Sequence, residues 1–213
     1  VARSTDRPQI TTSLPAKPDP TRGGGGWPLV VDHVENWAWR TQVFTDDELD
    51  AIIRIGSQSE LDKAATFGPV QSDKNRNSHV QFLFPNELTN WVFMRIAGAA
   101  HEINRQFFQF DLDGLNQGLQ FTRYTAPGQH YDWHIDRGYL TATRKLSISI
   151  QLNDPADYDG GELQLKFGRK DETIRKERGM VTFFPAYTLH RVKPVTRGTR
   201  YSLVAWIGGP PFK

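Results

Sequence analysis

The apolar positions change their period once along the chain. Between residues 45 and 110 they recur at intervals of three and four. Leu49, Ile52 and Ile53 form one stripe, and Leu88, Trp91, Val92, Ala99, Ile103 and Phe107 form a second. Such spacing predicts two helices, each burying one face. Thr45 followed by Glu48 is a capping box for the first helix, and Gly56 ends or weakens it. Asn86 is positioned to cap the second. Between them, Ser78 to Phe84 reads as a strand closed by Pro85.

After Asp111 the period shortens to two. The segments GLQFTRYT, HYDWHID, RKLSISIQL, GELQLKFG, GMVTFFP, LHRVKPV and TRYSLVAWI are short and rich in β-branched and aromatic residues. Turn chemistry separates them at Ala126-Pro127-Gly128, from Asp157 to Gly161, and at Arg197-Gly198. Many short strands at close spacing predict a sandwich or double-sheet jelly roll. Helices first and strands afterwards give an α+β reading, with the helices packed on one face of the strand core.

Composition narrows the setting. Residues 1–26 are rich in Pro, Thr and Arg and end in four glycines, which cannot build a core and read as an arm. The rest, 27–213, reads as one domain, with a helical part over about 45–110 and a jelly-roll core over about 118–209. There is no cysteine, which excludes a disulfide framework, a thiolate zinc site and a cysteine nucleophile. The net charge of +2 is too even for a dedicated nucleic-acid binder. The most basic stretch, Lys166 to Arg178, interleaves Asp171, Glu172 and Glu177 and reads as a solvated hairpin loop. The polar opening VARSTDRPQI lacks a signal-peptide core, and no apolar run nears the roughly 20 residues that span a bilayer. The expectation is a soluble, cytoplasmic protein.

Two places carry candidate chemistry. In an extended strand alternate side chains share a face, so His134 and Asp136 point the same way and can reach one metal. An H-x-D tripeptide is weak alone, but His190 follows the strand end Phe183-Phe184-Pro185 and can face the H-x-D strand across the barrel. Two His and one carboxylate leave coordination positions open, the arrangement suited to non-haem iron and oxygen. His130 and Asp132 share the same parity and remain an alternative pair nearer the Pro127-Gly128 turn. His33, His79 and His101 lack a carboxylate at ligand spacing and read as surface or structural residues. Near the end of the chain, Arg200, Ser202, Val204 and Trp206 share one face of a strand. If that face looks inward, the guanidinium needs an anion, and its planar fork matches a carboxylate, with Ser202 as a further donor.

The run from LQFTRYTAPGQHYDWHID through LSISIQLNDPADYDGGELQL to FFPAYTLHRVKPVTRGTRYSLVAW resembles the iron(II)- and 2-oxoglutarate-dependent oxygenases, in particular the prolyl 4-hydroxylase-like branch. The likeness spans Gly118 to Gly209 and rests on H-x-D, GGEL, the distal His, and an Arg ten positions later within R-x-S. It implies a double-stranded β-helix core with supporting N-terminal helices. It further implies that His134, Asp136 and His190 bind Fe(II), and that Arg200 pairs with the far carboxylate of 2-oxoglutarate with Ser202 and Tyr124 beside it. Gln151 stands where some relatives carry a pocket tyrosine. Leu163 would be an apolar wall and Trp206 would line the cavity near iron. Arg76 and Ser78 would lie near the substrate entrance, and the loop from Arg137 to Arg144, with Tyr139, at the cavity mouth. Gly160 and Gly161 read as backbone necessities of a tight turn.

The activity implied is hydroxylation of an unactivated C–H bond with O2 as oxidant, releasing succinate and CO2, with ascorbate as an accessory reductant. A prolyl residue in a protein or peptide is the leading substrate. A free amino acid or small metabolite is the alternative, and a non-catalytic jelly-roll metal-binding or sensor protein is a third reading. Trp206 stands where nucleic-acid demethylases of the same superfamily usually place a second Arg, which disfavours a nucleic-acid substrate. No membrane partner is expected.

Overall fold

Thr45 starts the first helix as its capping box demands. Its hydroxyl accepts from the Glu48 N–H at 3.3 Å, and the Glu48 carboxylate accepts from the Thr45 N–H at 2.9 Å. The computed structural model describes residues 34–58, 62–63 and 75–211. The arm expected over residues 1–26, and His33, lie outside the described residues. The elements run β1 (Ala38–Arg40), α1 (Asp46–Gly56), β2 (Asp62–Lys63), β3 (Arg76–Asn77), β4 (His79–Leu83), α2 (Asn90–Ile103), β5 (Gly114–Leu115) and β6 (Leu119–Thr125). They continue with β7 (His130–His134), β8 (Arg144–Gln151), β9 (Tyr158–Gly160), β10 (Leu163–Phe167), β11 (Lys170–Thr173), β12 (Val181–Pro185), β13 (Leu189–Val192) and β14 (Val195–Gly208).

The strand core is two antiparallel sheets. The larger, nine-stranded sheet follows the order β1-β12-β8-β14-β6-β4-β2, with β5 and β9 pairing onto β14. The smaller follows β11-β10-β13-β7-β3. One face of the large sheet takes the helices: Leu49 and Ile52 of α1 and Val92, Ile96 and Ile103 of α2 pack with Phe121, Ile148, Phe183, Leu203 and Ala205. A second cluster, holding Tyr124, Tyr158, Leu163, Leu165, Phe184 and Val192, draws residues from both sheets. Two packed antiparallel sheets with helices on one face are the jelly-roll, α+β arrangement that the periods predicted and the double-stranded β-helix that the resemblance implied. Among the described residues no helix is long and apolar enough to cross a membrane.

β8 shows how the large sheet serves two masters. All eight of its residues are buried. Leu146, Ile148 and Ile150 enter the helix-side cluster, and strand alternation turns Ser147, Ser149 and Gln151 to the opposite face. Hydroxyls and an amide on a fully buried face mark a polar interior between the sheets.

Two expectations are corrected. Asn86 does not cap α2: its side chain accepts from the Leu88 and Thr89 N–H groups at 2.8 and 3.1 Å, building a separate turn, and the helix begins only at Asn90. Leu88 therefore lies outside the helical stripe and is exposed. The stretch from Lys166 to Arg178 is a hairpin only through Thr173, where Lys166 pairs with Asp171 at 3.2 Å. Beyond it Ile174 is buried, and Arg178 bonds the Leu152 carbonyl and the Asp50 carboxylate, tying this segment to α1.

Two turns need glycine. Gly160 and Gly161 have φ of +74° and +66°, and a Cβ on Gly160 would lie 2.1 Å from the Pro194 carbonyl oxygen. Gly56 closes α1 against the Phe121 ring, where a Cβ would come within 2.4 Å. It is a point of close approach as well as the helix end.

Candidate active site

β13 lies between β10 and β7, and its central residue His190 is paired with Leu165 on one side and His134 on the other. The β7–β13 register then slips. Val192 pairs with Tyr131, so β7 carries one extra residue between His134 and Tyr131, a bulge at Asp132 and Trp133. Simple alternation would have turned His130 and Asp132 to the face of His134. The bulge turns Tyr131 there instead, with its ring stacked on that of His134 at 3.4 Å between centroids. Asp132 is exposed, and the Nδ1 of His130 is engaged with the Gly128 carbonyl at 2.8 Å. The alternative His130–Asp132 pair is not assembled.

Asp136 lies just past β7, where the Ala186 carbonyl accepts from both its N–H and that of Arg137. Its Oδ1 is 3.8 Å from His134 Nε2 and its Oδ2 is 3.5 Å from His190 Nε2. One ligand atom from each of the three residues lies within 4.8 Å of the others. Both imidazoles are turned by their Nδ1 atoms, which meet the carbonyls of Asp132 at 2.7 Å and Thr188 at 2.9 Å. A carbonyl can only accept, so each Nδ1 carries the proton and each Nε2 offers a lone pair to the centre. Burial, then the neighbouring His190, push the His134 pKa down to about 3, against the pull of Asp136, so the ring is neutral at physiological pH. Burial alone would raise the Asp136 carboxyl, but the two imidazoles and the Ser147 hydroxyl, donating at 2.7 Å, hold it below the ordinary carboxylate range. The Trp206 indole N–H leans toward the same carboxyl without reaching hydrogen-bond geometry. The Nε2 atoms of two imidazoles, that of His134 on a ring held neutral, converge with an ionised carboxylate. That donor set fits a divalent cation, and its hydrogen-bonded outer partners are those a metal site requires.

The other end of the site lies on β14. Arg200 is 3% exposed, and among the described residues no carboxylate pairs with it. It donates to the Ser202 hydroxyl at 3.2 Å, and its guanidinium carbon is 5.5 Å from the ring centre of its cross-strand partner Tyr124. The Tyr124 hydroxyl, raised by burial, feels Arg76, Arg200 and Asp136 together, so it lies between the two ends. A small cavity against Arg200 is lined by Ser149, Gln151, Gly161, Leu163 and Thr182. The Gln151 amide N–H is engaged by the Asn153 carbonyl at 3.2 Å. Trp206 belongs to the metal end, buried with the Arg144 guanidinium 3.7 Å above its ring. Arg76 pairs across with Tyr131, holds its guanidinium 4.4 Å over that ring and donates to Ser78.

The nine residues singled out in the sequence fall into two groups, His134, Asp136, His190 and Trp206 at one end and Arg200, Ser202, Gln151 and Leu163 at the other, with Tyr124 feeling charges of both. Sequence reasoning missed Tyr131, Ser147, Thr182 and Tyr158. The alternation of RKLSISIQ within a wholly buried strand carries a signal for Ser147; the others depend on pairing between strands. A larger cavity of about 330 Å³ lies on the helix side, lined by Asp50, Asn153, Asp157, Arg178, Thr199 and Tyr201 among others. Its Asn153, Asp157 and Arg178 groups already bond to neighbouring residues, which leaves the converging ligands as the reactive centre.

Comparison with known proteins agrees with this geometry. Residues 119–208 match the family model of the 2OG-Fe(II) oxygenase superfamily. A PKHD-type hydroxylase of Sphingopyxis alaskensis is 38% identical over 109 residues, 49% of this chain and 50% of that protein. Another from Prochlorococcus marinus is 40% identical over 99 residues, 46% of this chain and 44% of that protein. The chain spans about half the length of the curated relatives it matches. Among solved structures, a prolyl-4-hydroxylase of Pseudomonas putida superposes with a TM-score of 0.67 at 22% identity, over 82% of this chain and 93% of that one. A prolyl hydroxylase of Trichoplax adhaerens, solved in complex with a hypoxia inducible factor peptide fragment, gives 0.69 at 16% identity, over 81% and 83%. These two likenesses are of fold. The strand core, residues 119–208, is thus similar to the 2OG-Fe(II) oxygenase superfamily in sequence, and its fold is the one those prolyl hydroxylase structures share.

Proposed function

We propose that this chain is an Fe(II)- and 2-oxoglutarate-dependent hydroxylase whose substrate is a prolyl residue in a protein or peptide, and that residues 27–213 carry the activity as one domain. The observation that carries the reading is the convergence of His134, Asp136 and His190 on one point, together with a buried Arg200 that has no carboxylate partner among the described residues. His134, Asp136 and His190 would hold Fe(II), and Arg200, Ser202 and Tyr124 would receive 2-oxoglutarate. Fe(II) held there would supply the redox chemistry of an overall reaction in which 2-oxoglutarate, O2 and the substrate C–H give succinate, CO2 and the C–OH, one oxygen atom entering succinate and the other the substrate.

The chain's own residues divide the remaining work. The Asp132 and Thr188 carbonyls fix the tautomers of the two histidines. Ser147 holds one oxygen of Asp136 and so orients the carboxylate. Leu163, Phe184 and Trp206 keep the interior dry, which strengthens each charge within it. Ile135, Tyr139, Leu140 and Tyr187 are exposed around the metal end, with the Asp136–Arg137 backbone bonded to Ala186 beside Tyr187. An exposed aromatic and aliphatic rim suits a peptide better than a small polar metabolite. The absence of cysteine and the even charge favour a reducing, cytoplasmic setting and a protein substrate over a nucleic acid.

The test is O2-dependent formation of succinate from 2-oxoglutarate with Fe(II), and ascorbate to keep it reduced, across a panel of proline-containing peptides and free amino acids. Peptide-stimulated turnover with a 16 Da gain on proline is expected, and His134→Ala should abolish it. Stimulation by free amino acids alone would shift the reading to a small-molecule hydroxylase.

A further inference from the structure

Tyr158, on β9, is fully buried, yet among the described residues no group accepts or donates a hydrogen bond at its hydroxyl. A buried hydroxyl without a partner is costly, and such an atom marks a place where a ligand completes the bonding. Its surroundings say which ligand. The Arg200 guanidinium lies beside the hydroxyl without meeting hydrogen-bond geometry, and burial raises the Tyr158 pKa while Arg200 opposes that rise. The Lys176 ammonium stands 4.7 Å over the face of the same ring, held there by the Gly160 carbonyl at 3.3 Å and by its ion pair with Glu162 at 3.8 Å. Gly161 forms the shared floor: a Cβ there would lie 3.0 Å from Arg200 Cδ and 3.3 Å from Tyr158 Cε2. This same glycine lines the cavity against Arg200.

The chemistry then has one direction. A guanidinium only donates, so a phenol beside it must turn its own proton away, toward an acceptor. Lys176 is matched by Glu162, so the buried Arg200 guanidinium and the phenolic proton beside it are what call for an anion. Gln151, a further polar side chain of the cavity, has its amide N–H engaged by Asn153.

We propose that Tyr158 is a positioning residue for the cosubstrate, its hydroxyl donating to the far carboxylate of 2-oxoglutarate beside Arg200. The proposal rests on the hydroxylase reading above. It makes Tyr158 a selector for 2-oxo acids that end in a second carboxylate.

The experiment compares the full chain with Tyr158→Phe, each loaded with redox-inert Mn(II), by calorimetric titration of two probes. One is 2-oxoglutarate; the other is 2-oxovalerate, of the same chain length with a methyl group in place of the far carboxylate. The expected result is a Kd for 2-oxoglutarate raised about 10-fold, as for a lost hydrogen bond to a charged group. Binding of 2-oxovalerate and of Mn(II) should be unchanged. In the ligand-free chain, Tyr158→Phe should leave the thermal midpoint equal or higher, because it deletes an unpartnered hydroxyl. The proposal is overturned by an unchanged 2-oxoglutarate Kd, by an equal loss for both acids, or by a lowered midpoint that reveals a structural bond. If the wild-type chain loaded with Mn(II) binds no 2-oxoglutarate, the hydroxylase reading falls and takes this proposal with it. If wild type binds and the variant binds equally, only the role of Tyr158 falls.

Discussion

The behaviour of His134 follows from where its proton sits. Nδ1 keeps one proton on the Asp132 carbonyl, and burial together with His190 denies the ring a second until about pH 3. In the unfolded chain the same ring takes that proton near its ordinary value of 6.5. Below 6.5 the unfolded state therefore binds a proton that the folded site refuses. The stability linked to His134 is fully present above pH 6.5 and drains away as the pH falls toward 3. Urea unfolding of the metal-free chain should show a midpoint that drops through this window, with a shallower slope in His134→Asn. Parallel slopes for the two proteins would mean that another group dominates the acid response. Asp136, held low by the two imidazoles and Ser147, adds its own loss only at more acid pH.

At the level of elements, the site depends on how α1 and the strands are seated. Gly56 lets the last turn of α1 rest on the Phe121 ring, and Phe121 lies in β6 three residues before Tyr124. Gly56→Ala places a methyl group within 2.4 Å of that ring, and overpacking of this kind costs about 1–3 kcal/mol. Chemical denaturation should report a loss in that range. A variant as stable as wild type would show that α1 can lift without cost. The β7 bulge is the other decisive feature, since it gives the centre Tyr131 in place of Asp132. The capping box at Thr45 and Glu48 was legible because both partners lie within one turn. Asn86 was misread because an Asx turn and a helix cap begin with the same residue types, and the choice between them depends on where Thr89 is held: its hydroxyl donates to the Phe84 carbonyl at 2.6 Å.

For the whole molecule, the proposed metal and carboxylate groups draw residues from both sheets, so ligands bound there would bridge the core. A ligand that binds only the folded state stabilises it in proportion to its saturation. At a 2-oxoglutarate concentration 100 times its Kd, the metal-loaded chain should gain about 2.7 kcal/mol. Arg200→Met should lose that increment while the ligand-free protein stays as stable as wild type or becomes more so, because a buried guanidinium without an anion is itself unfavourable. Thermal unfolding with and without 2-oxoglutarate measures both effects. An equal ligand-induced gain in the variant would remove Arg200 from the carboxylate end.

What the sequence determined by itself was the list of parts. The change of period after Asp111 announced helices and then a jelly roll. The local spacing of His134, Asp136, His190 and the Arg200-Ser202 pair carried the chemistry, because those residue types at those intervals have few other uses. Tertiary structure decided which faces met. Strand alternation is a rule about neighbours along one chain, whereas the bulge at Asp132 and Trp133 arises from pairing with β13, some sixty residues away. The same holds for Ser147 on Asp136 and for Tyr158 beside Arg200. Contacts across distant strands are set by register and burial together, and no local pattern in the sequence encodes them.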